Sequence, residues 1–177
     1  ASFLWWMRVI PSLGFNGYMI NMTEITATSH FANNSASASA VKTALVVDDE
    51  VALLPVYIEF LGRMGYAATG VVNGAEAIAE MDQHHYDLLL VDLRMPAKTG
   101  FEVLSELRPD HPDTCIILVT GCVSHEFAST ALRLGADSYV AKPCSLGYLA
   151  ERIQYAQELR SSASNRSHRR EALVNAA

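Results

Sequence analysis

Tyr86-Asp-Leu-Leu-Leu-Val-Asp-Leu-Arg-Met-Pro96 is the stretch on which the reading of this chain turns. The apolar residues 88–91 run without a break into Asp92, and a turn signal, Met95-Pro96 and then Gly100, follows at once. An apolar run of this length fits a strand covered on both faces, as in a parallel sheet between two helix layers. Ligands of such sheets bind at the carboxyl ends of the strands. Asp92 is therefore expected at the mouth of a crevice, on a rigid support.

The same pattern repeats outward from this strand. On the N-terminal side, Leu45-Val46-Val47 ends in Asp48-Asp49-Glu50. Val51, Leu54, Ile58, Leu61 and Met64 then recur at helical spacing, closed by Gly62 and Gly65. Pro55 requires that helix either to begin after Val51 or to bend in its first turn. Residues 67–72 read as a weaker strand. Asn73 with Glu76 has the spacing of a capping box, and Ala75, Ile78, Ala79 and Met81 supply the face of a second helix. His84 and His85 fall in a solvated link.

On the C-terminal side, Phe101, Val103, Leu104 and Leu107 make a third helix, ended by Pro109 and Pro112. Residues 115–119 form a fourth strand that delivers Thr120-Gly121. A fourth helix points Phe127, Ala131, Leu132 and Leu134 inward, with Gly135 as its C-cap. Residues 138–141 are a fifth strand leading to Lys142-Pro143, and residues 146–159 a last helix with Leu149, Ile153 and Ala156 on one face. Five alternations of strand and helix imply right-handed crossovers and an α/β fold with one doubly wound, five-stranded parallel sheet.

At 177 residues, half of them hydrophobic, the chain has room for one well-filled domain plus tails. Its net charge of −6 is uneven: residues 41–160 hold 17 of the 19 acids but 9 of the 13 Lys and Arg. An acidic body lacks the cations that displace counterions from phosphates, which argues against direct nucleic-acid binding. Cys115, Cys122 and Cys144 are odd in number without C-x-x-C spacing. They read as reduced thiols of a cytoplasmic protein, with Cys115 in the core, and not as a disulfide frame or zinc site.

Before residue 41 the pattern fades. Arg8, Pro11 and Asn16 interrupt the apolar residues there, so no span approaches the roughly 20 residues of a membrane helix. Ala36-Ser-Ala-Ser-Ala40 resembles a cleavage site, but Arg8 inside the apolar part argues against export. Met22 is a plausible natural start, and residues 21–41 are rich in Ser, Ala, Thr and Asn. The expected organisation is a disordered leader over 1–41, a domain over 42–160 and a short basic, solvated tail over 161–177.

Four strands thus finish in chemically useful residues: Asp48-Asp49, Asp92, Thr120 and Lys142. Singly, each is an ordinary turn, cap or surface residue. On one edge of one sheet they compose a site for a single reaction. Three crowded carboxylates repel one another unless a cation joins them. Mg²⁺ suits such a set because it takes few carboxylates and keeps waters and phosphate oxygens as its other ligands. Phosphoryl transfer is mainly positioning and charge neutralisation, and a carboxylate can be its nucleophile. Asp92 is expected to attack, Asp48 and Asp49 to hold the metal, and Lys142 and Thr120 to contact the phosphoryl oxygens.

Asp48-Asp49-Glu50, Asp92-Leu-Arg-Met-Pro96 with Gly100, Thr120-Gly121, Gly135-Ala136-Asp-Ser-Tyr139 and Lys142-Pro143 together resemble the receiver domain of two-component response regulators. The resemblance implies a CheY-like (βα)₅ fold whose Asp92 accepts a phosphoryl group from a histidine kinase or histidine phosphotransfer protein. It implies Mg²⁺ bound by Asp49, by Asp48 mostly through water, by Asp92 and by the backbone carbonyl of Arg94. Thr120 and Tyr139 match the family's switch pair, which biases the surface of helix four, strand five and helix five toward a downstream protein. Arg94 and Cys122 occupy variable positions that tune phosphoryl lifetime. The 17 residues after Arg160 are too few for an output domain, so a single-domain regulator or a fragment is expected. A phosphorylation-dependent homodimer is left open.

Two other functions compete. A phosphatase of the haloacid-dehalogenase type also uses an Asp after a strand, but it resembles Asp-x-Asp, and here the second position is Arg94, which cannot act as the acid. A receiver-like interaction module without phosphorylation would have no need of Asp48, Asp49, Asp92, Thr120 and Lys142 together.

Overall fold

The computed structural model of the chain describes residues 41–121 and 124–174, with side chains to residue 164. The expectations for residues 1–40 and for Cys122 lie outside the described residues. Strands β1 (Lys42–Val47), β2 (Tyr66–Val71), β3 (Leu88–Asp92), β4 (Cys115–Thr120) and β5 (Ser138–Ala141) alternate with helices α1 (Leu54–Arg63), α2 (Gly74–Gln83), α3 (Gly100–Asp110), α4 (His125–Arg133) and α5 (Leu146–Val174). The strands make one sheet in the order β2-β1-β3-β4-β5, and every neighbouring pair is parallel. Among the described residues no helix is long and apolar enough to cross a membrane.

Strand alternation feeds two cores, one on each face of the sheet. Ala44, Val46, Leu88, Leu90, Ile117 and Val140 pack with Leu61 of α1 and with Leu149 and Ile153 of α5. Leu45, Val47, Leu89, Val91, Ile116 and Leu118 pack with Met81 of α2, Val103 and Leu104 of α3, and Ala131 of α4. The central strands β3 and β4 are buried at every residue, which is why their sequences run apolar without alternation. Cys115 opens β4 at 2% exposure, as expected, and His84 and His85 are exposed.

Helix starts follow local chemistry. Leu54 begins α1 and Pro55 sits in its first turn, where its missing N–H needs no partner. The Asn73 side chain accepts from the Glu76 N–H at 2.9 Å, while Glu76 Oε2 accepts from the Val72 N–H. At α3 a full capping box joins Thr99 and Glu102, a pairing the sequence reading passed over.

Several inward faces differ from expectation. In α1 the buried residues are Leu54, Tyr57 and Leu61, and Val51 lies exposed ahead of the helix. In α2 they are Gly74, Ala77 and Met81, whereas Ala75 and Ala79 are exposed. Three alanines at alternate positions carry no helical phase; contact with α3 sets it, since a Cβ on Gly74 would fall 2.5 Å from Val103 Cγ2. Pro109 lies inside the last turn of α3 instead of ending it. On α4 only Ala131 is buried; Leu132 is 56% and Phe127 37% exposed, Phe127 leaning on the Phe101 ring at 6.0 Å. Gly135 caps α4 as expected, with φ of +96°. Helix α5 runs past residue 159 to Val174, and Ser161, Ser162, Ala163 and Ser164 on it are exposed.

Candidate functional site: an ion-paired acidic pocket

The order of the sheet reverses between β1 and β3: the chain leaves β1 for β2 on one side and returns to β3 on the other. Crevices at such points are where ligands of open parallel sheets bind. Asp48 follows β1 and Asp92 ends β3, so the two carboxylates straddle this crevice; they are 3% and 7% exposed. Lys142 follows β5, and its N–H donates to the Thr120 carbonyl at 2.7 Å, which holds it beside the end of β4. From there its ammonium reaches Asp48 Oδ2 at 2.6 Å and Asp92 Oδ1 at 2.9 Å. The peptide bond between Lys142 and Pro143 is cis.

Each carboxylate is also held by its second oxygen. Asp48 Oδ1 accepts from the Glu50 N–H at 2.9 Å, and Asp92 Oδ2 from the Arg94 N–H at 2.6 Å. Every one of these oxygens keeps a lone pair free of the contacts named, since each oxygen can accept twice. Burial disfavours the Lys142 charge, but hydrogen bonds and charges from Asp48 and Asp92 outweigh it and raise its pKa above the ordinary lysine value. Lys142 is thus a fixed cation at neutral pH. Burial also raises the pKa of the Tyr57 hydroxyl, with the charge of Lys142 opposing the shift.

The loop after Asp92 folds back on the site. Lys98 N–H donates to the Pro96 carbonyl at 2.7 Å across Ala97, whose φ of 65° makes this a strained γ-turn. Gly100 N–H then returns to the Leu93 carbonyl at 2.9 Å. A Cβ on Gly100 would meet the Asp92 carbonyl oxygen at 2.5 Å and Leu93 Cα at 2.9 Å, so only glycine lets α3 start against the strand that carries Asp92. The exposed Arg94 side chain extends toward β4, with Nη2 3.7 Å from where a Cβ of Gly121 would sit.

The fold therefore brings Asp48, Asp92 and Lys142 into direct contact from three strands. Thr120 is fully buried at the adjoining end of β4, with its Cα opposite Ala141. Tyr139 is half-buried on β5 and packs on the α2–α3–α4 side; by strand alternation Thr120 belongs to the same side. Asp49 is exposed at the rim and takes no part in the ion pairs. Among the described residues no three His, Cys, Asp or Glu side chains form a ready-made metal cage. The donor set still suits a hard divalent cation, because it is all oxygen: Asp48 and Asp92 face the Lys142 ammonium, and Asp49 adds a third carboxylate at the rim.

The sequence reading missed two parts of this site. Ala97 gave no signal, since a positive φ is unexpected for alanine. Gly100 was noted as a turn residue, without the close approach that demands it.

A parallel sheet of this order, with a lysine-bridged acidic pocket at its switch point, has the architecture of a receiver domain. The response regulator receiver domain model matches residues 44–154, and the chain belongs to that family. Sensory transduction protein RegX3 of Mycobacterium tuberculosis is 37% identical over 112 residues, covering 63% of this chain and 49% of that protein. The chain spans between about a quarter and a half of the curated relatives it matches. Among solved structures, the response regulator TrrA from Thermotoga maritima in complex with Mg²⁺-BeF is 33% identical with a TM-score of 0.59, covering 65% of this chain and 98% of that one. A response regulator from Burkholderia pseudomallei with a phosphorylated aspartic acid and a calcium ion is 28% identical with a TM-score of 0.62, covering 71% and 74%.

Proposed function

We propose that this chain is a phospho-accepting switch of a two-component or phosphorelay system, with Asp92 the acceptor. The observation that carries the reading is the Lys142 ammonium bridging Asp48 and Asp92 across the sheet's switch point. A carboxylate oxygen of Asp92 attacks the phosphorus of a phosphohistidine donor; the P–N bond breaks, its electrons return to the imidazole, and an acyl phosphate forms. The Arg94 N–H keeps the second oxygen in place during attack. Lys142, freed from a carboxylate that has lost its charge, follows the new phosphoryl oxygens. Asp48, Asp49, Asp92 and the Arg94 carbonyl would hold Mg²⁺, which supplies neutralisation of the transferred group's charge. The TrrA complex and the phosphorylated aspartate of the Burkholderia protein support this reading.

The readout runs through Thr120 and Tyr139. A new phosphoryl group draws the Thr120 hydroxyl, and the space it leaves admits the Tyr139 ring. That bias reaches the α4–β5–α5 surface, where Leu132, Tyr148, Tyr155 and Leu159 are exposed, for recognition by a downstream protein. The donor partner is a histidine kinase or histidine phosphotransfer protein.

Intact mass after incubation with acetyl phosphate and Mg²⁺ tests the proposal. One phosphoryl is expected, labile to hydroxylamine, absent without Mg²⁺ and absent in Asp92→Asn. A phosphoryl group on the Asp92→Asn protein would overturn the assignment.

A further inference from the structure

The second charged cluster of the domain lies at the opposite edge of the sheet, at the start of β5. Asp137 Oδ2 accepts from Arg108 Nη2 and from the Ile116 N–H, both at 2.9 Å, and Oδ1 accepts from Arg160 Nη1 at 2.7 Å. Arg108 also donates to the carbonyl of Thr114 at 2.9 Å, and Arg160 to that of Pro112. One carboxylate thereby ties the end of α3, the first residues of β4, the start of β5 and the middle of α5. Two turns earlier on α5, Arg152 donates to the buried Ser138 Oγ at 3.0 and 3.2 Å. Helix α5 is thus fastened twice at the start of β5, and the exposed residues 161–164 of the same helix begin one residue past the second fastening.

Strand β5 has only four residues, about 13 Å at about 3.3 Å per residue. It is bounded by charged side chains: Lys142 in the acidic pocket at one end and Asp137 in this cluster at the other. The four residues of β5 are therefore the direct chain link between the acidic pocket and this cluster.

We propose that Asp137, through Arg160, is the clamp by which β5 sets the exit of α5, so that phosphorylation of Asp92 alters the order of the helical segment 161–174. This rests on the phospho-acceptor reading above. Burial and the nearby Arg160 both disfavour the charge of Arg108, which the shared Asp137 carboxylate opposes, so that carboxylate is what keeps the two arginines together.

The test is amide hydrogen exchange over residues 161–174 in the full chain, with and without acetyl phosphate and Mg²⁺, with intact mass read in parallel. The wild type should show a phosphorylation-dependent change of roughly threefold or more in that segment. Arg160→Gln leaves the Arg108–Asp137 pair and the pocket intact. It should take up the phosphoryl to the same mass, exchange fast in both states and lose the dependence; Arg160→Lys should restore part of it. Phosphorylated wild type without a change in 161–174, or Arg160→Gln that keeps the full change, overturns the clamp while leaving the acceptor reading standing. Absence of phosphoryl on the wild type overturns both.

Discussion

Replacing Lys142 with Met keeps the aliphatic stem and removes the ammonium that holds Asp48 and Asp92 together. Both carboxylates are less than a tenth exposed, so the variant leaves two like charges facing each other in a poorly hydrated pocket. Breaking a buried pair by deleting one partner costs about 3–5 kcal/mol. The Lys142 side chain is itself 21% exposed, so solvent screens part of this, and a loss of about 2–3 kcal/mol is expected. At a urea dependence of about 2 kcal/mol per molar, the unfolding midpoint should fall by about 1 M or slightly more. Mg²⁺ should raise the midpoint of the variant more than that of the wild type, because the cation relieves a repulsion the wild type does not have.

The pH dependence carries a definite sign. Lys142 has a folded pKa above its unfolded value of about 10.4, so its contribution is complete below that pH and fades as pH rises through the folded value. The gap in stability between wild type and Lys142→Met should hold steady from about pH 6 to 9 and narrow in more alkaline solution. Urea denaturation across this range measures it. A loss below about 1 kcal/mol, or a gap that widens toward high pH, would refute the reasoning.

Gly100→Ala should destabilise by about 2–3 kcal/mol in urea denaturation, since its Cβ meets backbone atoms that no rotamer change can move aside, and it should slow phosphoryl uptake because the Asp92 strand end must shift. Ala97→Gly should stabilise by about 0.5–1 kcal/mol by relieving the positive φ; a loss would show that the γ-turn carries little strain. Burial pushes the Cys115 thiol up to about 12, so peptide mapping after treatment with a thiol reagent at pH 8 should find it unmodified in the native protein and modified in urea.

The faces of the helices show where the linear pattern loses its hold. In α5, Leu149, Ile153 and Ala156 are large or well-spaced enough to mark one stripe, and all three are buried as expected. In α2 the alanines mark nothing, because a methyl group gains little from burial on either side; the close approach of Gly74 to Val103 decides the rotation. In α4 the apolar residues exceed what one short helix can bury, so Leu132 points to solvent although its neighbour Ala131 is in the core. Sequence periodicity records which residues prefer to avoid water, not how much neighbouring surface exists to cover them.

That Asp48, Asp92, Thr120 and Lys142 gather was legible because each lies at or just past the end of a strand, and parallel strands deliver their carboxyl ends to one edge whatever the intervening helices do. Chain order alone therefore determined the class of fold, the edge on which Asp48, Asp92, Thr120 and Lys142 gather, and the residue types available for chemistry there. Only the tertiary structure decided which of them touch: that Lys142 bridges Asp48 and Asp92 while Asp49 faces solvent, that the Asp92 carbonyl leaves no room for a side chain at Gly100, and that Asp137 joins two arginines 29 and 23 residues away. Those contacts depend on distances between segments far apart in the chain, and spacing along the chain carries no record of such distances until the sheet has closed.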